Sequence, residues 1–147
     1  MIKDSSEEQI KVIYCEAGHK ARIAEVDNNL GAFQGLVGGW IEEYMPFEDE
    51  DVAIVCNEEG KTMGLPLNRA VKDEDGQLLD IIAGDFFICY APIESEKWLE
   101  LPPELQKKYL EKFKYPEQFF RENGEIKAVK YDPGDLPINR KSVEYER

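Results

Sequence analysis

Short apolar runs broken by turn-forming residues pattern this chain. Val12, Ile13, Tyr14 and Cys15 make a strand of Lys11 to Glu16, and Ala17-Gly-His-Lys20 turns it into a second strand over Ala21 to Val26. Asp27-Asn28-Asn29 offers helix caps, and Leu30, Phe33, Gln34 and Val37 fall at helical spacing, so a short helix is predicted from Leu30 to Val37. Gly38-Gly39 ends it, because glycine tolerates the left-handed conformation at a helix C-terminus. Trp40 to Phe47 alternates like a strand, with Trp40, Glu42, Tyr44 and Pro46 on one face. Val52 to Cys56 is apolar throughout and reads as a buried central strand.

Turn chemistry divides the next stretch. Asn57-Glu-Glu-Gly60 and Asp73-Glu-Asp-Gly76 read as turns, and Leu65 to Val71 as a loop or one helical turn. Ile81 to Ala83 and Phe86 to Ala91 are strand-like, with a bulge expected at Gly84-Asp85. The pattern changes after Pro92. Glu94 to Leu99 suggests a short helix, and Pro102-Pro103 opens another, striped by Leu105, Tyr109, Leu110 and Phe113. Pro116 starts a further turn with Phe119 and Phe120, and Ile126 to Tyr131 alternates like a strand. Asp132 to Arg147 reads as an extended arm.

The expected fold is α+β: a mainly antiparallel sheet with a crossing helix and a helical C-terminal extension. Residues 1–92 form the core, and residues 93–147 add the extension and arm to the same domain. A chain of 147 residues is long enough for one hydrophobic core. No apolar run reaches membrane-spanning length, and Met1-Ile-Lys-Asp-Ser-Ser-Glu-Glu lacks the apolar segment of a signal peptide. The expected location is therefore the cytoplasm.

Charge narrows the partners. The chain carries 31 Asp and Glu against 18 Lys and Arg, a net charge of −13. Such a surface repels nucleic-acid phosphates and anionic membrane, so neither is an expected partner. It can attract a basic protein, or it can simply keep a small protein dispersed. An anionic ligand would need a local basic pocket against this field. Cys15, Cys56 and Cys89 sit singly in apolar runs at no zinc-like spacing and read as reduced core residues. His19, beside Gly18, reads as a turn residue rather than a general base. No nucleophile-and-base pair, metal set or phosphate-loop pattern is present, so neither a catalytic residue nor a cofactor is expected.

The remaining chemistry lies at the ends of the apolar runs. Arg69 offers a planar fork of donors suited to phosphate or carboxylate, and from a loop on a polar rim it would carry little core packing. Asn68 can read a nucleobase edge or a ribose hydroxyl. Asn57 and Asp85 stand at strand ends where a pocket rim would form, and Trp40 or Tyr44 could stack a base. Each also has a plain structural reading: Asn57 as a turn residue, Asp85 as a bulge neighbour, Trp40 as core. Leu65-Pro-Leu-Asn-Arg69 nearly recurs as Leu136-Pro-Ile-Asn-Arg140, although the flanks differ. Asn139 and Arg140 therefore join the candidate set, presented to a neighbouring subunit of a homo-oligomer by the arm.

Leu36-Val-Gly-Gly-Trp-Ile-Glu42, Val55-Cys-Asn-Glu-Glu-Gly60, Leu65-Pro-Leu-Asn-Arg69 and Asp80-Ile-Ile-Ala-Gly-Asp85 together resemble a family of small uncharacterised domains. That family is carried by phages, plasmids and other mobile elements, often near antirestriction genes. The resemblance covers roughly Ala21 to Tyr90 and none of the region after Pro92. It implies a setting, an accessory protein acting in a bacterial host cell. Two functions are expected in that setting. The first is non-enzymatic capture of a small nucleotide-like ligand, as a sponge for a host immune signal. The second is an acidic DNA mimic, or a protein-binding inhibitor of a basic host restriction or defence enzyme. A mimic needs carboxylates spaced along one face like phosphates, whereas a sponge needs a pocket with local positive charge.

Overall fold

The alternation along the chain resolves into a five-stranded antiparallel sheet in the computed structural model, which describes residues 8–48 and 50–135. Its strands are β1 (Gln9–Cys15), β2 (Arg22–Asp27), β3 (Ile41–Phe47), β4 (Val52–Asn57) and β7 (Phe86–Tyr90), in the order β2-β1-β7-β4-β3. Helix α1 (Leu30–Val37) crosses one face. Hairpin β5 (Leu67–Lys72) with β6 (Leu78–Ala83) and helix α2 (Pro103–Lys112) cover the other. A second hairpin, β8 (Glu117–Glu122) with β9 (Glu125–Lys130), packs beside β5. The architecture is thus α+β with mostly antiparallel pairing and two helices.

Both faces of the sheet are covered, which explains the unbroken apolar runs. Every residue of β4 is buried. Ala53 and Val55 face α1 with Phe33 and Val37, while Val52, Ile54 and Cys56 face α2 through Tyr109 and Phe113. Each large apolar side chain buried this way contributes about 1.5–3 kcal/mol. An isolated helix of eight residues is unstable in water, so α1 depends on that packing. Its ends are nonetheless written locally: the Asn29 side chain accepts from the Ala32 amide, and Gly38 closes the helix at φ +80°.

Four expectations change. Leu65 to Val71 is not a loop or helical turn, because Leu67–Lys72 is strand β5. Its two consecutive polar residues disguise a strand that is buried on both faces. Gly84-Asp85 is not a bulge within one sheet but the corner where the chain leaves β6 for β7 in the five-stranded sheet. Residues 94–99 form no helix, since Trp98 turns inward against Phe33 and Phe87 and Leu99 bridges to Tyr90. Pro116 leads into strand β8 rather than a turn. Past Pro92 the described residues hold one helix, then a hairpin, and most of the expected arm lies outside them.

The Gly84 corner generates a stability prediction. Gly84 sits at φ +89°, and a Cβ there would stand 2.7 Å from Leu65 Cδ1. Gly84→Ala should therefore lower stability by roughly 1–3 kcal/mol through backbone strain and crowding, read as a shift of the urea midpoint at unchanged m-value.

Candidate functional site

Asn68 and Arg69 alternate along β5 as strand residues must, and both are buried. Arg69 is fully buried: Nε donates to Phe113 O at 3.0 Å, one terminal nitrogen to His19 O at 2.8 Å, and the other to Asn68 Oδ1 at 2.7 Å and Glu16 O at 3.5 Å. Asn68 Nδ2 donates to Cys15 O and Gly84 O, both at 2.9 Å. Asp85 joins them, accepting from the Ala17 amide at 2.9 Å and, more weakly, from the Tyr14 hydroxyl at 3.5 Å. Burial, then the Asp85 charge, pushes the Tyr14 hydroxyl up to about 12.

The structure therefore brings Asn68, Arg69 and Asp85 together, but around the backbone of residues 15–19 rather than around a cavity. A ligand-binding loop arginine is the wrong description of Arg69. Its donors are committed to protein oxygens, of which Phe113 O and Asn68 Oδ1 are buried. Asn57 also turns inward: Nδ2 donates to Val37 O at 3.2 Å, and Oδ1 accepts from the Glu59 amide at 2.8 Å. It fastens the end of α1 to the turn after β4. Trp40 is 66% exposed and precedes β3, whereas Tyr44 packs half-buried against the core. Asn139 and Arg140 lie outside the described residues. The three cysteines are buried, and burial pushes Cys15 and Cys56 up to about 12.

Positive charge gathers elsewhere. A cleft of about 430 Å³ opens between the end of β3, the β5–β6 turn and α2, and Lys72, Lys108 and Lys112 line it. A smaller recess of about 110 Å³ shares Lys72 and Lys112 and adds Lys130 from β9. Lys72 and Lys112 thus line both spaces. Loss of hydration lowers the Lys112 pKa and the ammonium groups of Lys108 and Lys130 lower it further, while the Glu74 and Asp73 carboxylates pull it back up in part. Glu117 also lines the recess, accepting from the Ala70 amide at 3.0 Å. Burial raises its pKa, while that hydrogen bond and the charges of Lys130, Arg69 and Lys72 pull the other way.

Acids stand at the cleft mouth. Glu50 is occupied by Lys108 at 2.7 Å and by the Tyr109 hydroxyl, and Asp73 caps the β5–β6 turn by accepting from the Asp75 and Gln77 amides. Glu48, Glu74 and Asp75 line the same space. Phe47, packed on Tyr109 with ring centroids 4.9 Å apart, and Leu79 give it an apolar wall. The arrangement can hold an anion at the inner end and a ring beside it. A structural role competes for two of the lysines. Lys130 Nζ lies 3.5 Å from Lys112 O, and cations are favoured at a helix C-terminus.

Sequence reasoning missed this cluster because its lysines come from β5, α2 and β9. One signal was available: Lys108 and Lys112 share a helix face at a spacing where like charges repel. Among the described residues no group of three His, Cys, Asp or Glu side chains could hold a metal ion, and no helix is long and apolar enough to cross a membrane.

The model of the family described as a domain of unknown function (DUF3846) matches residues 10–114, so the chain belongs to that family. The match is wider than Ala21 to Tyr90. It takes in β1 and all of α2, correcting the expectation that the resemblance ends before Pro92, and it includes Lys72, Lys108 and Lys112. No curated protein and no solved structure matches the chain.

The Arg69 network makes a prediction opposite to that of a binding-site arginine. Arg69→Ala should cost about 3–5 kcal/mol, because it leaves buried carbonyls and Asn68 without their donor. Arg69→Lys should recover little of the loss, since a point charge cannot reproduce the planar fork. Chemical denaturation of both variants measures this directly, and a near-wild-type midpoint for the alanine variant would contradict it.

Proposed function

We propose that this family member is a non-enzymatic binding protein that captures a small nucleotide-like anion in the lysine-lined cleft. The observation that carries the reading is the meeting of Lys72, Lys112 and Lys130 in a chain of net charge −13. With 31 acids against 18 bases, a carboxylate partner for every lysine is easy to supply. Like charges held together oppose folding unless something anionic completes the site. The cleft volume falls within the range of small-molecule sites, and Phe47 and Leu79 supply the apolar surface such sites use. The setting follows from the sequence resemblance: an accessory protein of a phage or other mobile element, sequestering a host immune signal in the bacterial cytoplasm.

A second groove favours the alternative, an acidic inhibitor that caps a basic host protein. It has a volume of about 450 Å³ and lies beside edge strand β3, where Glu43, Asp51 and Glu96 line it with the exposed Met45 and Ile93. Acids and a proline also protect any exposed sheet edge against pairing, and β3 carries Glu42, Glu43 and Pro46. In the lysine cluster Glu117 is one carboxylate against Lys72, Lys112 and Lys130, so a counter-ion role accounts for only part of it, and the capture reading stands first.

Two expected outcomes test it. Lys72→Gln and Lys112→Gln should each weaken binding of a nucleotide by about tenfold or more while both variants still unfold cooperatively, with a modest loss of thermal stability for Lys112→Gln at the end of α2. Calorimetric titration with a panel of linear and cyclic nucleotides reads the effect. Failure of the wild type to bind any of them would move the choice to the acidic inhibitor.

The second outcome concerns pH. The Lys112 pKa is lowered in the free protein, and a bound anion favours its charged form. Affinity should therefore fall as pH rises through the depressed Lys112 pKa. Binding in the alkaline range should also take up protons, measurable as a dependence of calorimetric heat on buffer ionisation enthalpy. Equal heats across buffers at alkaline pH would contradict the assignment.

A further inference from the structure

We propose that the ligand carries a single phosphomonoester on an otherwise uncharged, donor-rich body, and that the cleft discriminates against polyphosphates. The proposal rests on the capture reading and narrows it.

Size and charge of the recess come first. Its volume of about 110 Å³ is roughly a quarter of the cleft's 430 Å³, so it suits one compact anionic group better than a chain of them. Three ammonium groups, Lys72, Lys112 and Lys130, face one carboxylate, Glu117. Among the recess's own lining residues about two positive charges remain, close to the roughly −1.5 to −2 of a phosphomonoester, while Glu74 and Asp73 act on Lys112 from the cleft side. The other recess walls, Ala70, Phe113 and Ala128, are apolar and strengthen a charge contact by excluding water.

The charges next to the recess supply the discrimination. Lys72 and Lys112 line both the recess and the larger cleft, and beyond them the cleft carries the carboxylates Glu48, Asp73, Glu74 and Asp75. Lys108, the other cation there, is held by Glu50 at 2.7 Å. A second or third phosphate would lie among acids and be repelled. Hydroxyl or amino donors in the same place would find acceptors, and a planar ring would find Phe47 and Leu79. The acids that make the protein anionic therefore act as a filter on ligand charge.

The test titrates the full chain with adenosine, AMP, ADP, ATP and inorganic phosphate in metal-free buffer containing a chelator, and repeats the series with guanine nucleotides. The expected order is monophosphate, then diphosphate, then triphosphate, with AMP or GMP at least tenfold tighter than the corresponding triphosphate and nucleoside. Lys130→Ala should bring the monophosphate down to nucleoside affinity while leaving the nucleoside unchanged. The double variant Glu74→Lys with Asp75→Lys should narrow the gap between mono- and triphosphate by tenfold or more. Triphosphate binding as tight as monophosphate binding in the wild type would overturn the charge filter yet leave nucleotide capture standing. A Lys130→Ala variant with unchanged monophosphate affinity would overturn the recess as the phosphoryl subsite. Binding to no member of either series would overturn both the inference and the reading beneath it.

Discussion

The fold depends on one buried cation. Arg69 reaches from β5 to three separate pieces of backbone: the end of β1 at Glu16, the following turn at His19, and the exit of α2 at Phe113. Asn68 orients it and fastens Cys15 and the Gly84 corner at the same time. Apolar contact between the hairpin, α2 and the sheet fixes depth but not register, and these bonds add the direction that apolar contact lacks. Removing a guanidinium from water is costly, and hydrogen bonds to four oxygens offset that cost. Desolvation accordingly lowers the Arg69 pKa, while the side chain remains charged.

How much of this is legible in sequence follows from how local each signal is. Helix α1 was readable to its ends because Asn29 and Gly38 act within one turn of the residues they cap. Strand β4 was readable because a run buried on both faces needs no partner to be recognised. Strand β5 was not, because Asn68-Arg69 is polar for reasons supplied by residues 44–53 positions away. The helix expected before Pro102 failed for a similar reason. Trp98 is drawn to Phe33 and Phe87, and its Nε1 donates to Glu43 at 2.8 Å, which local propensity cannot foresee.

The candidate site shows the same limit from the other side. Asparagine, arginine and aspartate at strand ends are suited to holding a ligand because they offer directional donors and acceptors. The same property suits them to holding backbone, and here Asn57, Asn68, Arg69 and Asp85 hold backbone. Lysine is the less specific residue in sequence, and its meaning at Lys72, Lys112 and Lys130 appears only when β5, α2 and β9 are brought side by side.

Period-two geometry then links the buried network to the cleft. Along β5, Arg69 and Val71 point into the core, while Ala70 and Lys72 line the recess, and the Ala70 amide anchors Glu117 there. On α2 the link is closer still. Phe113 O accepts from Arg69, Phe113 itself forms part of the recess wall, and Lys112 is the residue before it. The staple that fixes the end of α2 therefore fixes where Lys112 stands relative to Lys72. A one-residue slip of β5 would turn Lys72 toward the core and Arg69 toward the recess, so fold and site require the same register. Arg69 would matter to the proposed binding through that register, as a positioning residue whose donors are held by Phe113, His19, Asn68 and Glu16.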